Sequence, residues 1–322
     1  MNNKQKYIEF CKNEKSIPIF SKPFWLDAVC GEDGWDVILV EKGGEIFASM
    51  PFMKAYKHYG MKFSTMPKLT QKLGPYIKYP KGQKYGKKLS FEKEIVNLLI
   101  EELPDFDYFH QYFDYKYTNW LPFYWNDYVQ STVYTYVLDD ISNIENVYQN
   151  FLQAKKKNIK KAETLVTVNF DMSYSDFYEN HKYTLSLHNK KISYSKDLFK
   201  RIYNTVYENN SGKTIYASDE NGNIHAALFI IWDDESAYDL ISTIDPNYKT
   251  SGATSLLILE MIKYLNDKTK KFDFEGSMIE EVENSFRQFG ARQIPYFSIS
   301  KKSSKAKIFY ALKDIVNEIV KI

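Results

Sequence analysis

The chain has 322 residues, of which 44% are hydrophobic and 26% charged, so it can bury a full core and global disorder is excluded. Its length suits two domains of ordinary size or one large one. The formal net charge is only +2, which is too balanced for a typical nucleic-acid-binding protein with its strongly basic domain.

The residues that usually hold metals or form disulfides are few and scattered. Cys11 and Cys30 match no zinc spacing and give no disulfide framework. His181, His188 and His225 share no metal-ligand spacing, so no metal site is predicted. The first residues are polar, unlike a signal peptide, and no apolar run approaches the ~18 residues of a membrane helix. The sequence therefore predicts a cytoplasmic protein.

The first half of the chain alternates helical and strand patterns. The Gly-Gly pair at 43–44, between two apolar segments, predicts a β-hairpin. Residues 67–88 are rich in Pro, Gly and Lys and predict a loop. The predicted elements are helices over 3–14 and 22–30, strands over 35–42, 45–57 and 61–66, a helix over 90–103, and strands over 106–113 and 128–138.

The second half repeats this order of elements without a residue-level repeat. The sequence Asp-Glu-Asn-Gly at 219–222 predicts a turn between two strands. The predicted elements are helices over 143–163, 173–187 and 195–209, strands over 213–218, 223–232 and 235–243, a helix over 252–267, a strand over 271–275, a helix over 279–289, a strand over 292–300, and a helix over 303–320. The two halves together predict an α/β fold with mixed sheets in two similar domains, 1–142 and 143–322.

Small and polar residues precede the long apolar helix of the second half. Lys249, Ser251, Gly252, Ala253 and Thr254 cluster where this helix begins. Glycine lets the backbone approach a ligand closely, and the N–H groups of a helix start favour an anion such as a pyrophosphate. Serine and threonine are equally ordinary helix caps. The pattern therefore fits either a phosphate site or a plain helix start.

Two carboxylates end a short strand of the second half. Strand alternation sends Phe272 and Phe274 to one face and Asp273 and Glu275 to the other. Because both faces of a parallel-type sheet are usually covered, the carboxylates need a partner or an aqueous cleft. At a cleft, one of them can act as general base toward an attacking amine. The alternative is a structural hydrogen bond or salt bridge that holds the following Gly-Ser turn at Ser277.

Several segments carry a family resemblance when they are taken in chain order. They are the Gly-Pro loop Lys72–Tyr76, the lysine-rich Lys155–Ala162, the hairpin Ile215–Phe229, the helix start Ser251–Leu257, and Phe272–Ser277 with Phe286–Gly290. Their order resembles the FemAB-type branch of the GNAT (acyl-CoA N-acyltransferase) superfamily, and it covers most of the chain. The resemblance implies two GNAT-like domains in tandem that transfer acyl or aminoacyl groups to amines, typically on cell-envelope precursors.

The resemblance also implies roles for single residues of the second half. The 249–254 loop is similar to the basic-x-x-Gly-x-small loop that holds the pyrophosphate of coenzyme A. It departs from that pattern because Lys249 replaces the usual Arg or Gln and Thr254 replaces the final Gly or Ala. Arg287 occupies the basic position of the Phe-basic-x-x-Phe-Gly signature, which implies a contact with the reacting carbonyl or a substrate phosphate. The alternative is an exposed arginine near a helix end.

In the first half, the loop at Lys72, Gly74 and Tyr76 is similar to the family's basic-Gly-Pro loop. It implies a site for the phosphates of a nucleotide-linked or lipid-linked acceptor, with Ser277 as a further acceptor contact; a solvated loop is the alternative. The peptidoglycan-bridge enzymes tend to have Arg directly before Gly-Pro, where this chain has Lys72-Leu73. No long coiled-coil arm interrupts the second domain, because the helices predicted over 173–209 are short. The acceptor of those enzymes is therefore not carried over.

The sequence thus predicts an acyltransferase with acyl-CoA or aminoacyl-tRNA as donor and a small-molecule, nucleotide-linked or lipid-linked amine as acceptor. Glu275 or Asp273 would accept the proton, and Arg287 would stabilise the oxyanion. The competing hypothesis is a catalytically inactive binding module for RNA or an anionic glycan. It rests on the lysine run at 155–161 and on aromatic and basic residues interleaved over 108–128.

Overall fold

The computed structural model describes residues 1–319 and divides into two compact units. Unit 1 comprises Met1–Val133 and the C-terminal segment that starts at Pro295. Unit 2 comprises Tyr134–Ile294. The division falls inside two strands, which begin in one unit and end in the other.

Unit 1 combines two helices at its N-terminus with strands of a three-stranded and a larger sheet. Its elements are α1 (Asn3–Asn13), α2 (Pro23–Cys30), β1 (Trp35–Lys42), β2 (Glu45–Met53), β3 (Tyr56–His58), β4 (Met61–Ser64), β5 (Tyr76–Ile77), α3 (Tyr85–Glu101), β6 (Tyr108–Tyr112), α4 (Leu121–Tyr124), the start of β7 (Val129–Leu138), the end of β13 (Arg292–Lys302), and α11 (Ser304–Ile319).

In unit 2, an apolar helix packs against strands and against two shorter helices. Its elements are the end of β7, α5 (Ile144–Asn150), α6 (Gln153–Glu163), β8 (Thr167–Phe170), α7 (Tyr174–Ser186), α8 (Lys196–Glu208), β9 (Gly212–Ser218), β10 (Ile224–Trp232), β11 (Ser236–Ile244), α9 (Ala253–Leu265), β12 (Lys271–Asp273), α10 (Glu280–Arg287), and the start of β13.

The strands of unit 1 form two sets. β1 and β2 form the antiparallel hairpin predicted from Gly43-Gly44, and β5 pairs with β2. Both glycines have positive φ angles, +60° and +81°, as such a tight turn requires. In the other set, β3 pairs antiparallel with β4, β4 pairs parallel with β6, and β6 pairs antiparallel with the last residues of β13.

The strands of unit 2 follow the order β8-β9-β10-β11-β12-β7. All neighbours are antiparallel except β11 and β12, which run parallel over three residue pairs, from Ser236–Lys271 to Tyr238–Asp273. Helix α9 packs on β9, β10, α5 and α6, and nine of its thirteen residues are buried. Such an apolar helix is expected at the centre of a core rather than on a surface.

Several predicted elements differ from those of the structure, and the loop predicted over 67–88 contains β5 and the start of α3. The helix predicted over 143–163 is two helices, because Phe151 and Leu152 are extended and Phe151 is buried in the core. The strand predicted over 45–57 ends at Met53, and Tyr56–His58 pairs with β4 instead. The strand predicted over 271–275 ends at Asp273.

The two compact units of the structure do not coincide with the two domains predicted from the sequence. That the chain has two domains, 1–142 and 143–322, stays a prediction. In the structure, the segment from Pro295 clusters with unit 1, where Ile299 lies in the core beside Phe109 and Phe113.

Candidate functional site

Asp273, at the end of β12, is fully buried and serves as a hydrogen-bond acceptor. Its Oδ1 accepts the hydroxyl of Thr135 on β7 and the backbone N–H of Glu275 at 2.9 Å. The predicted alternation holds here, because Phe272 and Phe274 lie in the core of unit 2. This oxygen of Asp273 thus fixes the start of the loop that follows the strand.

Glu275 and Gly276 continue in the left-handed region, with φ angles of +58° and +66°. The strand face predicted for Glu275 is therefore wrong, because the chain turns away after Asp273. A Cβ on Gly276 would stand 2.0 Å from the backbone oxygen of Tyr134, so only glycine allows this close approach to β7. Ser277 then accepts the backbone N–H of Ile279 at 3.0 Å and helps to begin α10. The loop is shaped by backbone geometry more than by side chains.

The signature residues lie in the last turn of α10 and directly after it, and they differ in exposure. Phe286 and Phe289 pack on Phe274, with ring centroids 5.0 and 5.2 Å apart, and join α10 to the end of β12. Arg287, in contrast, has a side chain that is 63% exposed. Its Nε lies 3.3 Å from Glu283 Oε1. The helix thus exposes the cation and pairs it with a carboxylate of its own.

Glu283 is also part of a short polar chain in unit 2. The hydroxyl of Tyr136 donates to Glu283 Oε1 at 3.0 Å and accepts from Gln293 Nε2 at 2.5 Å. Burial first, and then Glu283, raise the pKa of Tyr136, while the bond from Gln293 opposes the shift. Tyr136 was not singled out by the sequence, because nothing in a strand pattern marks one tyrosine among 27.

The start of α9 is built as the sequence predicted, with Gly252 in the left-handed region at φ +85°. Ser251 Oγ accepts the N–H of Ala253 at 3.2 Å, while the N-cap residue is Gly252, which has no side chain to cap the helix. A Cβ on Gly252 would stand 2.1 Å from the backbone oxygen of Asn158 on α6. Glycine is therefore required by helix packing at this position. Lys249 is exposed beside it.

Helix α6, which contains the lysine run, contacts both motifs of unit 2. Lys161 donates to the backbone oxygen of Thr250 at 2.7 Å, next to the start of α9. Six residues earlier, roughly 9 Å along the helix axis, Lys155 donates to Ser285 of α10 at 2.8 Å. Helix α6 thus contacts both the 249–254 loop and the signature helix α10.

Lys155 is the buried member of the lysine run. Its side chain is 7% exposed, and its ammonium lies 4.3 Å from the ring centroid of Phe289. Burial lowers the pKa of Lys155 to about 8. A buried lysine within an otherwise solvated basic run was not predicted, because sequence spacing alone does not show which face of α6 meets α10.

In unit 1, the Gly-Pro loop borders a cavity of about 200 Å³. Gly74 has a φ angle of +89°, and a Cβ there would stand 2.5 Å from the Phe113 ring. Tyr76 lines the cavity and hydrogen-bonds Ser16 at 3.0 Å, and burial raises its pKa to about 12. Tyr117 also lines the cavity, and its buried hydroxyl has no hydrogen-bond partner among the described residues.

Lys72 lies at the base of this loop and is almost fully buried, with 2% exposure. Its ammonium stands 4.6 Å from the ring centroid of Tyr115 and 5.9 Å from that of Tyr296. Aromatic faces attract a cation at such distances. Lys72 therefore supports the loop from inside. Lys78, which follows the loop in the sequence, faces solvent and pairs with Glu45, with Nζ and Oε1 2.6 Å apart.

Asp239 is a further polar residue of unit 2 that the sequence reasoning missed. It lies in β11, is 8% exposed, and its Oδ2 accepts the hydroxyl of Ser242 at 2.8 Å. Burial raises its pKa to about 6. The available signal was one acidic residue inside an otherwise apolar run, Ser236–Ile241.

No group of three or more His, Cys, Asp or Glu residues in the described part of the chain is arranged to hold a metal ion. Within the same residues, none of the helices has the length and apolarity needed to cross a membrane.

Comparison with known proteins shows the fold of the chain. No protein-family model matches the sequence, and no curated protein matches it. Among solved structures, FemX aligns over 92% of this chain and 96% of its own, with a TM-score of 0.66 and 12% identity. L-PGS from Bacillus licheniformis aligns over 96% and 95%, with a TM-score of 0.55 and 9% identity.

A third solved structure is the C-terminal domain of a putative lysylphosphatidylglycerol synthetase from Agrobacterium fabrum. It aligns over 98% of this chain and 95% of its own, with a TM-score of 0.51 and 11% identity. At such low identities the likeness concerns the fold alone. The predicted α/β, FemAB-like fold of GNAT type is confirmed.

Proposed function

We propose that this FemAB-like chain is an acyltransferase that moves an acyl or aminoacyl group from acyl-CoA or aminoacyl-tRNA to an amine. The observation that carries the proposal is the position of α6 in unit 2. This helix contacts the start of α9 through Lys161 and the signature helix α10 through Lys155. A phosphate-binding helix start and a carboxylate-bearing loop on one scaffold suit a donor with a phosphate at one end and a reactive carbonyl at the other.

The roles follow from the geometry of unit 2. Lys249 and the backbone N–H groups of Gly252 and Thr254 would bind donor phosphate, since Ser251 already accepts the N–H of Ala253. Glu275 would accept the proton from the attacking amine, since one oxygen of Asp273 is already bound to Thr135 and the loop backbone. Arg287 would leave Glu283 to stabilise the oxyanion, an effect worth about 3 kcal/mol for a well-placed donor.

The acceptor elements belong to unit 1. Gly74 and Tyr76 would contact the acceptor beside the cavity, and Lys72 would hold the loop in shape. Ser277 stays a predicted acceptor contact. Direct transfer needs positioning of the two reactants and no covalent intermediate. A putative lysylphosphatidylglycerol synthetase, whose C-terminal domain has a similar fold, is named for an aminoacyl lipid, so lipid-linked acceptors are the first class to test, followed by nucleotide-linked amines.

We include in this proposal the cytoplasmic location that the sequence predicts. The donor is either acyl-CoA or aminoacyl-tRNA, and the two can be distinguished by experiment. Acyl-CoA is a compact donor, whereas tRNA needs a wide basic surface. Binding of tRNA weakens steeply with salt because counterions are released, while a small donor depends on salt much less.

The proposal is tested by donor binding and by product formation. Acetyl-CoA or bulk aminoacylated tRNA should raise the melting temperature of the wild-type protein, and Lys249→Ala should reduce that rise. Lys263→Ala, in an exposed lysine of α9 paired with Glu260, is the matched control. Mass spectrometry should show an acylated amine, and Glu275→Gln should slow its formation by roughly 10²-fold or more. If neither donor stabilises the protein and no amine is acylated, the proposed function is wrong.

A further inference from the structure

The C-terminal helix α11 of unit 1 carries apolar side chains on the side that faces solvent. Ala306 is fully buried, and Phe309 and Tyr310 pack against the same cluster as Ala306. Ile308 and Leu312, one helical turn apart, are nevertheless 63% and 59% exposed. A surface helix normally buries its apolar stripe and turns a polar face to water. Helix α11 therefore has a second apolar side, which the described part of the chain leaves exposed.

The tip of the β3–β4 hairpin adds an aromatic ring beside this helix. Tyr59 is 74% exposed, and its ring contacts Phe309 of α11 with centroids 5.3 Å apart. Its φ angle is +49°, which is uncommon for a residue other than glycine. Lys305 of α11 donates to the backbone oxygen of Gly60 at 3.1 Å. The hairpin tip and the helix are thus joined, and both expose apolar side chains.

Lysines flank the exposed apolar side of α11. The helical repeat places Lys305 and Lys307 on either side of Ile308, and both lysines are exposed. Lysine stems can lie along an apolar surface while the ammonium groups remain in water. The helix therefore presents an apolar stripe between two rows of positive charge.

The positive charge extends over both segments that build this surface. Residues 54–64 and 301–313 contain no Asp or Glu. Asp107, which contacts both segments, uses its carboxyl oxygens to accept the N–H of Lys62 and the hydroxyl of Ser303. A chain with a net charge of only +2 thus concentrates basic residues here. The exposed lysines of the two segments are Lys54, Lys57, Lys62, Lys305, Lys307 and Lys313.

Exposed aliphatic side chains between lysines are complementary to a lipid surface with anionic headgroups. An amphipathic helix of this kind lies in the plane of the interface, with its apolar side among the acyl chains. RNA would suit the lysines, but its bases stack on aromatic rings, whereas Ile308 and Leu312 are aliphatic. A second copy of this chain would bring the same positive charges to the contact and be repelled.

We propose that α11 and the β3–β4 hairpin tip bind unit 1 to the surface of a membrane that contains anionic lipids. Ile308 and Leu312 enter the interfacial layer, and Tyr59 lies at the level of the headgroups, where tyrosines are enriched. The lysines contact the headgroup phosphates. The cytoplasmic leaflet carries such anionic lipids. This inference goes beyond the proposed function and does not depend on acyl transfer.

Sedimentation of the full-length protein with vesicles tests the inference, and neither donor nor acceptor is added. The test vesicles contain about two parts of phosphatidylcholine to one part of phosphatidylglycerol, and the reference vesicles contain phosphatidylcholine alone. We expect the protein to sediment with the test vesicles and not with the reference vesicles. Added salt should weaken the binding, because it screens exposed charges.

A charge-reversal variant measures the contribution of the lysines. A lysine close to an anionic surface contributes roughly fivefold to binding. Lys305→Glu combined with Lys307→Glu should therefore weaken vesicle binding by roughly 25-fold or more. The matched control is Lys190→Glu combined with Lys191→Glu, which makes the same charge change at exposed lysines of unit 2 and should bind within a few-fold of the wild-type protein.

A second variant removes the apolar contact without changing the charge. Ile308→Ser combined with Leu312→Ser should weaken vesicle binding by about tenfold or more. The matched control is Leu165→Ser combined with Leu187→Ser, at two exposed leucines of unit 2, and it should retain the binding. RNA binding through the lysines would be insensitive to the loss of Ile308 and Leu312.

Hydrogen exchange of the wild-type protein gives a further readout that needs no variant. Test vesicles should slow the exchange of α11 and of residues 56–60 and leave α7 of unit 2 unchanged. Failure of the wild-type protein to bind test vesicles, or equal losses in the variants and their controls, would overturn the proposal. So would vesicle protection confined to other segments. Binding of bulk tRNA that the charge reversal abolishes, without vesicle binding, would assign the surface to RNA instead.

Discussion

Substituting Gly252 by alanine separates the two explanations of the α9 start. A glycine here suits a ligand that approaches the backbone, but the structure places the Asn158 backbone oxygen 2.1 Å from the position of a Cβ. A left-handed φ costs an ordinary residue roughly 1–2 kcal/mol, and forcing two packed helices apart adds about 1–3 kcal/mol. We therefore expect Gly252→Ala to lower the free energy of unfolding by about 2–5 kcal/mol.

Gly222 is the matched control for this experiment. It lies in the same unit with a similar φ of +80°, but nothing stands within 4 Å of its Cβ position. Gly222→Ala should therefore cost only the backbone term, about 1–2 kcal/mol. The measurement is urea unfolding followed by circular dichroism, with the slope checked for constancy. Equal losses in the two variants would refute the claim that α6 requires the glycine.

Three further predictions concern buried polar groups. The lowered pKa of Lys155 means that the unfolded chain binds more protons between pH 8 and 10.5, so stability rises with pH in that window, by roughly 3 kcal/mol in total. Lys155→Met should remove this rise and increase the urea midpoint at pH 7; a lower midpoint at both pH 7 and pH 10 would contradict it. The raised pKa of Asp239 means that the folded chain binds more protons between pH 4 and 6, so stability falls by about 3 kcal/mol as pH rises through this window. Asp239→Asn should flatten that decline, and an unchanged difference between midpoints at pH 4 and pH 7 would count against the assignment. Thr135→Val removes the hydroxyl donor of buried Asp273 and should cost about 1–3 kcal/mol in thermal or urea unfolding, whereas Thr132→Val, at an exposed position, should be close to neutral.

Local patterns predicted much of this fold because they report on burial and turn geometry. The hairpin at Gly43-Gly44 and the alternation of Phe272 with Asp273 follow from periods and turn residues, and both are present. The break of the predicted 143–163 helix at Phe151 was missed, because helical propensity does not reveal a residue that tertiary packing pulls into the core.

The site was harder to predict than the fold, since it depends on contacts between distant segments. Gly252 was recognised as special, but the reason lies on α6, about a hundred residues earlier in the chain. Glu275 was predicted to lie on a strand face, but its backbone is left-handed. The sequence did not indicate this, because the neighbouring Gly276 is the residue expected to adopt such a conformation. Asp239 stood in an apolar run, and its burial beside a β-bulge appears only in the pairing of β11 with β10.

The return of the C-terminal segment to unit 1 has a consequence for synthesis of the protein. Every residue of unit 2 has been translated before Pro295 is added, whereas the core position of Ile299 is still vacant. Strand β6 therefore waits with its β13-facing edge unpaired while unit 2 can already fold. Unpaired edges invite association with other chains. We expect a chain that stops before Pro295 to aggregate through unit 1, even though no residue of unit 2 has been removed.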